Sequence, residues 1–348
     1  MKSKIILFLF LGLLLSCEGK KQMVSSESVT ISETVSYQWQ KDKLVLTTAK
    51  SQTSWSSVDL PLKRAVVLNA SLIGYFLELG LESNLVGVSS PEYIYSDKIL
   101  DAIKSGQIQN VGSEQKYDLE KILALKPQVI FTNYIANFEN TYDILKKSGI
   151  QIVFLDEYLE TDPLSKAKYL QVFGALFGVE QKALESYTAI ETKYNSLKKE
   201  AQKAPTKPLV ITNELYGSQW FMPGGNTQFA IYMKDAGAKY LLEDNEEKRA
   251  IPLSFEQVLV EAKQARLWVN AGNYTRKSEM LALHPNYTKL EVFQKGKIYG
   301  ISGKIQGKAN DYFESGVVRA DLVLQDYINI VHPDLIPSDS LVYFRELQ

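Results

Sequence analysis

Cysteine and histidine are scarce in this sequence of 348 residues. It contains one cysteine, Cys17, and two histidines, His284 and His332. Cysteine-rich zinc sites and disulfide frameworks both need several cysteines, so both are excluded. Each histidine is followed by proline and the two lie far apart in the chain, which disfavours a site that captures bare metal through several histidines. We therefore expect no protein ligands to a metal ion.

An excess of positive charge is also absent. Lysine and arginine number 39 against 40 aspartate and glutamate, which gives a net charge of -1. A nucleic-acid-binding surface is basic, so we expect no nucleic-acid partner. Apolar residues make up 45% and charged residues 23%, as in ordinary globular proteins. The length predicts two domains.

Residues 1–16 have the pattern of an export signal. Two lysines precede an apolar run, residues 5–15, that is too short to remain as a membrane-spanning helix. The run ends in Leu-Leu-Ser-Cys at residues 14–17, which resembles the lipobox of bacterial lipoproteins. That resemblance implies lipidation of Cys17 and a membrane anchor, with the protein facing the periplasm. A signal peptide with a chance cysteine is the alternative.

The rest of the chain divides by composition and hydrophobic pattern. Residues 17–36 are polar and predict a tether, and residues 37–62 predict a small β extension. Short apolar runs alternate with helical stretches over residues 63–161 and again over residues 205–348. Residues 162–204 predict a helical bridge. The expected fold is α/β, with two Rossmann-like lobes that each have a central, mostly parallel sheet, bridged by one long α-helix.

The two alternating segments, residues 63–161 and 205–348, share a repeated pattern. Asp118 followed by Glu120 in the first, and Ser254 followed by Glu256 in the second, each pair a helix-capping residue with an acid two positions later. An apolar helix, a strand and a terminal asparagine follow in both cases. Two such lobes predict a cleft lined by the strand ends of both sheets.

The segment 110–113 (Asn-Val-Gly-Ser), followed by residues 118–130, resembles the substrate-binding proteins of bacterial ABC importers for iron siderophores, haem and vitamin B12. The resemblance runs from about residue 64 to residue 332. It implies a monomer whose partners are an ABC permease with its ATPase subunits and a small-molecule metal chelate. It also implies that Glu120 and Glu256 dock into arginine pockets of the permease. The alternative is that each glutamate only stabilises its own helix, because the helix macrodipole favours an acid in the first turn.

Candidate ligand-binding residues follow predicted strand ends and offer aromatic, amide or charged groups. They are Tyr93, Glu114, Lys116, Asn133, Tyr134, Tyr216, Trp220, Phe221, Tyr274 and Lys304. We expect a ferric siderophore as ligand, with cobalamin and haem as alternatives within the same family. The metal would arrive already chelated, so we expect no resident cofactor and no metal ligand from the chain.

Two other classes of protein remain open, a lipid-anchored hydrolase and a lipoprotein that binds another protein. The sequence has no Gly-x-Ser-x-Gly and no His-Glu-x-x-His pattern. We therefore expect a binding protein and not an enzyme.

Overall fold

The computed structural model describes residues 28–336 and 340–348. The export signal and Cys17 lie outside the described residues. The first elements of the described residues form a four-stranded antiparallel sheet. Its strands are β1 (Val29–Thr30), β2 (Ser36–Gln40), β3 (Lys43–Thr47) and β4 (Gln52–Ser56). β1 falls inside the range predicted as tether, residues 17–36, and pairs Val29 with Tyr37. No hydrophobic periodicity in the sequence reveals this strand, because it has only two residues and lies in a polar segment.

The first lobe alternates strands and helices. Its elements are β5 (Ala65–Val67), α1 (Ile73–Leu79), β6 (Leu85–Val88), α2 (Asp97–Lys104), β7 (Gln109–Asn110), β8 (Gly112–Ser113), β9 (Lys116–Tyr117), α3 (Leu119–Leu125), β10 (Val129–Thr132), α4 (Glu139–Lys147) and β11 (Gln151–Phe154). Five strands form a parallel sheet in the order β11-β10-β5-β6-β7. All residues of β5, β6 and β10 are buried, as expected for strands covered on both faces.

Three consecutive helices connect the lobes: α5 (Pro163–Lys168), α6 (Leu170–Phe177) and α7 (Glu180–Ala201). α5 begins with Pro163 after Asp162, whose side chain accepts a hydrogen bond from the Ser165 amide. α7 has 22 residues and is about 33 Å long. Its buried residues, Ala183, Ile190, Tyr194 and Ala201, recur at spacings that place them on one face.

The second lobe repeats the alternation. Its elements are β12 (Leu209–Thr212), β13 (Leu215–Tyr216), β14 (Gln219–Pro223), α8 (Gln228–Asp235), β15 (Lys239–Tyr240), β16 (Ala250–Leu253), α9 (Phe255–Glu261), β17 (Leu267–Val269), α10 (Lys277–Leu283), α11 (Glu291–Lys295), β18 (Lys297–Gly300), β19 (Ile305–Gln306), β20 (Ala309–Asn310), α12 (Ser315–Val318), α13 (Ala320–Val331) and β21 (Arg345–Glu346). The sheet order is β15-β12-β17-β18-β21, with only β21 antiparallel. The prediction of an α/β fold with two mostly parallel sheets and a long connecting helix is confirmed.

The lobes are braced against each other. One hydrophobic cluster includes Phe131 of the first sheet, Tyr194 of α7 and Val269 of the second sheet. The buried carboxylate of Glu314, just before α12, accepts hydrogen bonds from the backbone amides of Tyr95 and Ser96 at 2.8 and 3.0 Å. These contacts tie the second lobe to the start of α2 in the first. Within the described residues, no helix combines the length and apolar character needed to cross a membrane.

Candidate functional site

A cavity of about 770 Å³ lies between the lobes and is lined by residues of both. Asn69 and Asn133 come from the first lobe, and Asn213 and Asn270 from the second. Each of these asparagines lies at or just beyond the carboxyl end of a parallel strand, which is where open α/β sheets bind ligands. The volume lies within the range of about 300–1,000 Å³ that is typical of small-molecule sites.

The four asparagines form two equivalent pairs. Asn69 and Asn133 follow the neighbouring strands β5 and β10, and the Asn69 amide donates a hydrogen bond to the Asn133 side-chain oxygen. Asn213 and Asn270 directly follow the neighbouring strands β12 and β17. Both have left-handed backbone conformations, with φ of 60° and 53°, which asparagine adopts more readily than most residues. The two lobes therefore present similar polar strand ends to the cavity.

The cavity lining includes a buried carboxyl group of the first lobe, Glu157, and a lysine of the connecting helix α5, Lys166. Glu157 is 2% exposed, and its Oε1 accepts a hydrogen bond of 2.7 Å from the Ser71 hydroxyl. Glu157 Oε2 has no hydrogen-bond partner among the described residues. Burial raises the pKa of the Glu157 carboxyl, and the nearby charge of Lys166 opposes that rise. Burial lowers the pKa of Lys166, which Glu157 opposes in turn.

Aromatic side chains from both lobes line the cavity: Tyr93, Tyr134, Tyr158, Tyr232, Tyr312 and Phe313. Tyr93 and Phe313, one from each lobe, are 45% and 54% exposed, so their rings are available to a ligand. The Lys308 ammonium of the second lobe lies 5.7 Å from the centroid of the Tyr93 ring. Burial raises the pKa of Tyr232 and of Tyr312, so these phenols remain neutral. The lining thus combines flat apolar surface with uncharged hydroxyl groups.

The charges of the lining balance. Glu114 and Glu157 oppose Lys166 and Lys308, and the described part of the lining contains no arginine and no histidine. Burial, together with the charge of Glu92, raises the pKa of Glu114. Across residues 28–336 and 340–348, no three histidine, cysteine or acidic side chains are grouped so that they could hold a metal ion. The site offers aromatic and amide contacts with little net charge.

Four of the ten predicted ligand-binding residues line this cavity. They are Tyr93, Glu114, Asn133 and Tyr134, all in the first lobe. Their contact with a ligand stays a prediction.

The other six predicted residues lie outside the lining: Lys116, Tyr216, Trp220, Phe221, Tyr274 and Lys304. The placement of Trp220 in the cleft is wrong, because its side chain is fully buried and its indole N–H donates to the Thr212 carbonyl oxygen at 2.9 Å. The Tyr274 hydroxyl donates to Glu214, and the Lys304 ammonium pairs with Asp311 at 3.0 Å. These two polar groups already have partners within the second lobe.

Sequence reasoning missed Ser71, Glu157 and Lys166. The signal for Glu157 was its position three residues after the end of β11, since the same strand-end rule had already selected Asn133. Lys166 gave no such signal, because it lies on α5 within the predicted bridge. Tertiary packing of α5 brings Lys166 to the cavity, and its carbonyl oxygen accepts a hydrogen bond of 2.9 Å from the Tyr75 hydroxyl of α1.

Glu120 and Glu256 lie on the outer surface. Each is the second residue of its helix, α3 or α9, and each is exposed. The caps are Asp118, which accepts a hydrogen bond from the Lys121 amide, and Ser254, which forms a capping box with Gln257. The caps fix both helix starts, and neither glutamate forms an ion pair with another described residue. Both carboxylates are therefore exposed on helix starts that are fixed by side-chain caps.

Known proteins resemble this chain in sequence and in fold. The sequence pattern of the family described as periplasmic binding protein matches residues 66–304. An uncharacterized lipoprotein of Methanocaldococcus jannaschii is 24% identical over 316 residues, covering 88% of this chain and 72% of the relative. A periplasmic heme binding protein of Pseudomonas aeruginosa superposes with a TM-score of 0.61 at 19% identity, covering 82% of this chain and 98% of the other. A siderophore binding protein of Vibrio cholerae bound to Fe3+-Desferal has a TM-score of 0.54 at 19% identity, covering 78% and 97% of the two chains.

Proposed function

Since the chain belongs to the periplasmic binding protein family, we propose that it captures a ferric siderophore or a related metal chelate between its lobes and delivers it to an ABC permease. The observation that carries this proposal is the cavity of about 770 Å³, whose lining comes from the strand ends of both lobes. A chelate held there touches both lobes at once. The protein binds its cargo without transforming it, and the permease's ATPase subunits supply the energy for transport.

The character of the lining supports a chelate as the cargo. Exposed rings at Tyr93 and Phe313 offer flat surface to a large organic ligand. The iron of such a chelate would arrive already coordinated, so this cargo needs no metal ligand from the chain. Two proteins of similar fold are named for haem and for a ferric siderophore, so both cargo types belong in the same test.

Delivery requires a surface that the permease can recognise in both lobes. Glu120 and Glu256 provide matching exposed carboxylates, each followed four residues later by a small or apolar exposed residue, Ala124 or Val260. A carboxylate on a fixed helix start can form a charge-assisted, bidentate pair with arginine. We assign these two sites to permease docking.

Lipidation at Cys17 would keep the protein at the membrane that contains its permease. The support is the lipobox-like sequence at residues 14–17 and the lipoprotein name of the archaeal relative. Two acyl chains plus an amino-terminal acyl group hold a protein firmly on a membrane surface. We place the protein on the periplasmic face.

A thermal-unfolding panel tests the proposed function. The mature chain is heated with ferric siderophores of hydroxamate and catecholate type, with haemin and with cobalamin. At a ligand concentration one hundred times the dissociation constant, binding stabilises the native state by about 2.7 kcal/mol and raises the midpoint by several degrees. A rise with one chelate class supports the proposal. No rise with any chelate, under conditions in which the protein is folded, contradicts it.

A further inference from the structure

We infer that Tyr327, which lies behind the cavity, is a positioning residue that orients the Asn270 side chain so that its amide N–H group donates to an acceptor oxygen of the cargo. This inference rests on the proposed function, because it names the chemistry by which the second lobe recognises the captured chelate. The acceptor can be a hydroxamate, catecholate, carboxylate or amide carbonyl oxygen.

The oxygen of the Asn270 side chain is bound by the core. Asn270 directly follows β17, lines the cavity and is half-buried. Its side-chain oxygen accepts a hydrogen bond of 2.9 Å from the hydroxyl of Tyr327, which is fully buried and lies outside the described cavity lining. The side-chain nitrogen is then the polar atom of Asn270 that can meet a ligand.

Tyr327 itself is fixed by packing. It lies on α13, and no part of its side chain is exposed. Its ring packs against Phe344, Tyr232 and Phe229, with centroid distances of 4.9, 5.6 and 6.0 Å. A buried ring in a close-packed interior has little freedom to move. The core of the second lobe therefore sets the position of the hydroxyl that holds Asn270.

Tyr312 completes the hydrogen-bond network. It lines the cavity, and its hydroxyl oxygen lies 3.5 Å from that of Tyr327. Because Tyr327 donates its proton to Asn270, its oxygen can accept one from Tyr312. Hydrogen bonds with Tyr327 and Asn270 oppose the rise that burial causes in the pKa of Tyr312. An asparagine amide has two N–H groups, so a bond to Tyr312 leaves one for a ligand.

The other three strand-end asparagines use their side-chain nitrogens within their own lobes. Asn69 donates to the side-chain oxygen of Asn133, which in turn donates to a backbone carbonyl oxygen at 3.2 Å. Asn213 donates to a backbone carbonyl oxygen at 2.8 Å. Asn270 differs from them, because the hydrogen bond to Tyr327 uses its oxygen instead.

Isothermal titration tests this inference with ferrioxamine B, haemin, cyanocobalamin and a ferric tricatecholate, each of which carries acceptor oxygens. The probe that binds the wild-type mature chain most tightly is then titrated into the variants. Tyr327→Phe removes one hydroxyl and keeps the buried ring, so the Asn270 amide can turn and present its oxygen instead. We expect Tyr327→Phe to weaken binding about three- to ten-fold, the range for one hydrogen bond.

Variants of Asn270 connect this loss to the amide. Asn270→Asp keeps the size of the side chain but has no N–H group, and it should weaken binding at least about ten-fold. Asn270→Gly removes the side chain at a left-handed position, φ 53°, which glycine adopts freely. In the Asn270→Gly background Tyr327→Phe should have no further effect on affinity. A merely structural loss would instead add to that of Asn270→Gly.

Tyr240→Phe is the matched control. Tyr240 is buried in the same lobe, and its hydroxyl donates to the Pro223 carbonyl oxygen at 2.6 Å. The change therefore also removes one buried hydroxyl, but from a residue outside the described cavity lining, and affinity should not change. Unfolding midpoints show that each variant is folded. If Tyr327→Phe does not fold, Asn270→Asp gives the second measurement.

The outcomes separate this inference from the proposed function. Binding of a probe that Asn270→Asp or Tyr327→Phe leaves unchanged overturns the inference and leaves the proposed function intact. Equal losses in Tyr327→Phe and Tyr240→Phe, or full additivity of Tyr327→Phe with Asn270→Gly, also overturn it. If no probe binds to the folded wild-type chain, the proposed function fails, and the inference fails with it.

Discussion

Glu120 and Glu256 occupy the same position in their two lobes, each being the second residue of a helix whose first turn is fixed by a side-chain cap. The two helices belong to equivalent strand-and-helix units, so the carboxylates form a matched pair on a scaffold braced by α7. A permease that contacts both lobes can recognise this pair.

Charge reversal tests this docking surface. Glu120→Lys or Glu256→Lys should reduce transport into cells at least about ten-fold, since an arginine pocket that gains a lysine loses its ion pair and acquires repulsion. Ligand affinity, measured on the purified proteins, should not change because both side chains lie outside the cavity. Glu139→Lys and Glu261→Lys are matched controls at exposed helix positions of the two lobes and should transport normally. Normal transport by both docking variants would contradict the assignment.

Truncation of two neighbouring residues of β14 should lower stability by very different amounts. Trp220 is fully buried against Trp268, with ring centroids 5.1 Å apart, so Trp220→Ala should lower the free energy of unfolding by about 3–5 kcal/mol. Phe221 points the other way and is 39% exposed, so Phe221→Ala should cost about 1 kcal/mol or less. Urea unfolding measures both. Similar losses for the two variants would show that the strand faces are misassigned.

Alanine at Gly74 should loosen the contact between the lobes. A Cβ atom there would overlap the carbonyl oxygen of Glu314, which is backbone and cannot rotate away. In an unpacked helix the same change would stabilise by about 1 kcal/mol. We expect Gly74→Ala to destabilise the protein by about 1–3 kcal/mol instead, as overpacking does. Thermal unfolding shows whether Gly74→Ala lowers or raises stability. A stabilised variant would show that the lobes do not meet at this point.

The carboxyl group of Glu314 should make stability depend on pH. Burial, reinforced by the charge of Asp311, raises its pKa from 4.5 to about 7. Between pH 4.5 and pH 7 the native state therefore binds more protons than the unfolded state. The contribution of the Glu314 carboxyl to the free energy of unfolding is lost as the pH rises from about 4.5 to about 7. This contribution is up to about 3 kcal/mol. Urea unfolding at pH 5 and pH 8 should show higher stability at pH 5.

Glu314→Gln should remove part of that difference. The glutamine can still accept one backbone N–H but no longer titrates. Some pH dependence should remain, because burial raises the pKa of Asp326 to about 6. The contribution of Asp326 to stability therefore also falls as the pH rises. An unchanged difference between pH 5 and pH 8 in Glu314→Gln would contradict the role assigned to this group.

The sequence was informative about the fold because buried parallel strands are short apolar runs, and runs such as Val129–Thr132 are visible without coordinates. It did not reveal β1, whose two residues, Val29 and Thr30, are too few to show a periodic pattern. For the site, the strand-end rule predicts Asn133 and Tyr134, which follow β10, and it extends to Glu157, three residues after β11. It placed Trp220 wrongly because alternation along β14 directs that ring into the core. Lys166 required tertiary packing that no local pattern encodes.

Isothermal titration of the mature chain with ferrioxamine B, haemin, cobalamin and a ferric tricatecholate tests whether the protein captures a chelate between its lobes. Tyr93→Ala and Phe313→Ala, which truncate half-exposed rings in opposite lobes, are measured beside the wild-type protein. We expect one site for one chelate, with affinity reduced at least about five-fold by each truncation. Absence of binding to every chelate, or binding that is insensitive to both truncations, would contradict capture between the lobes.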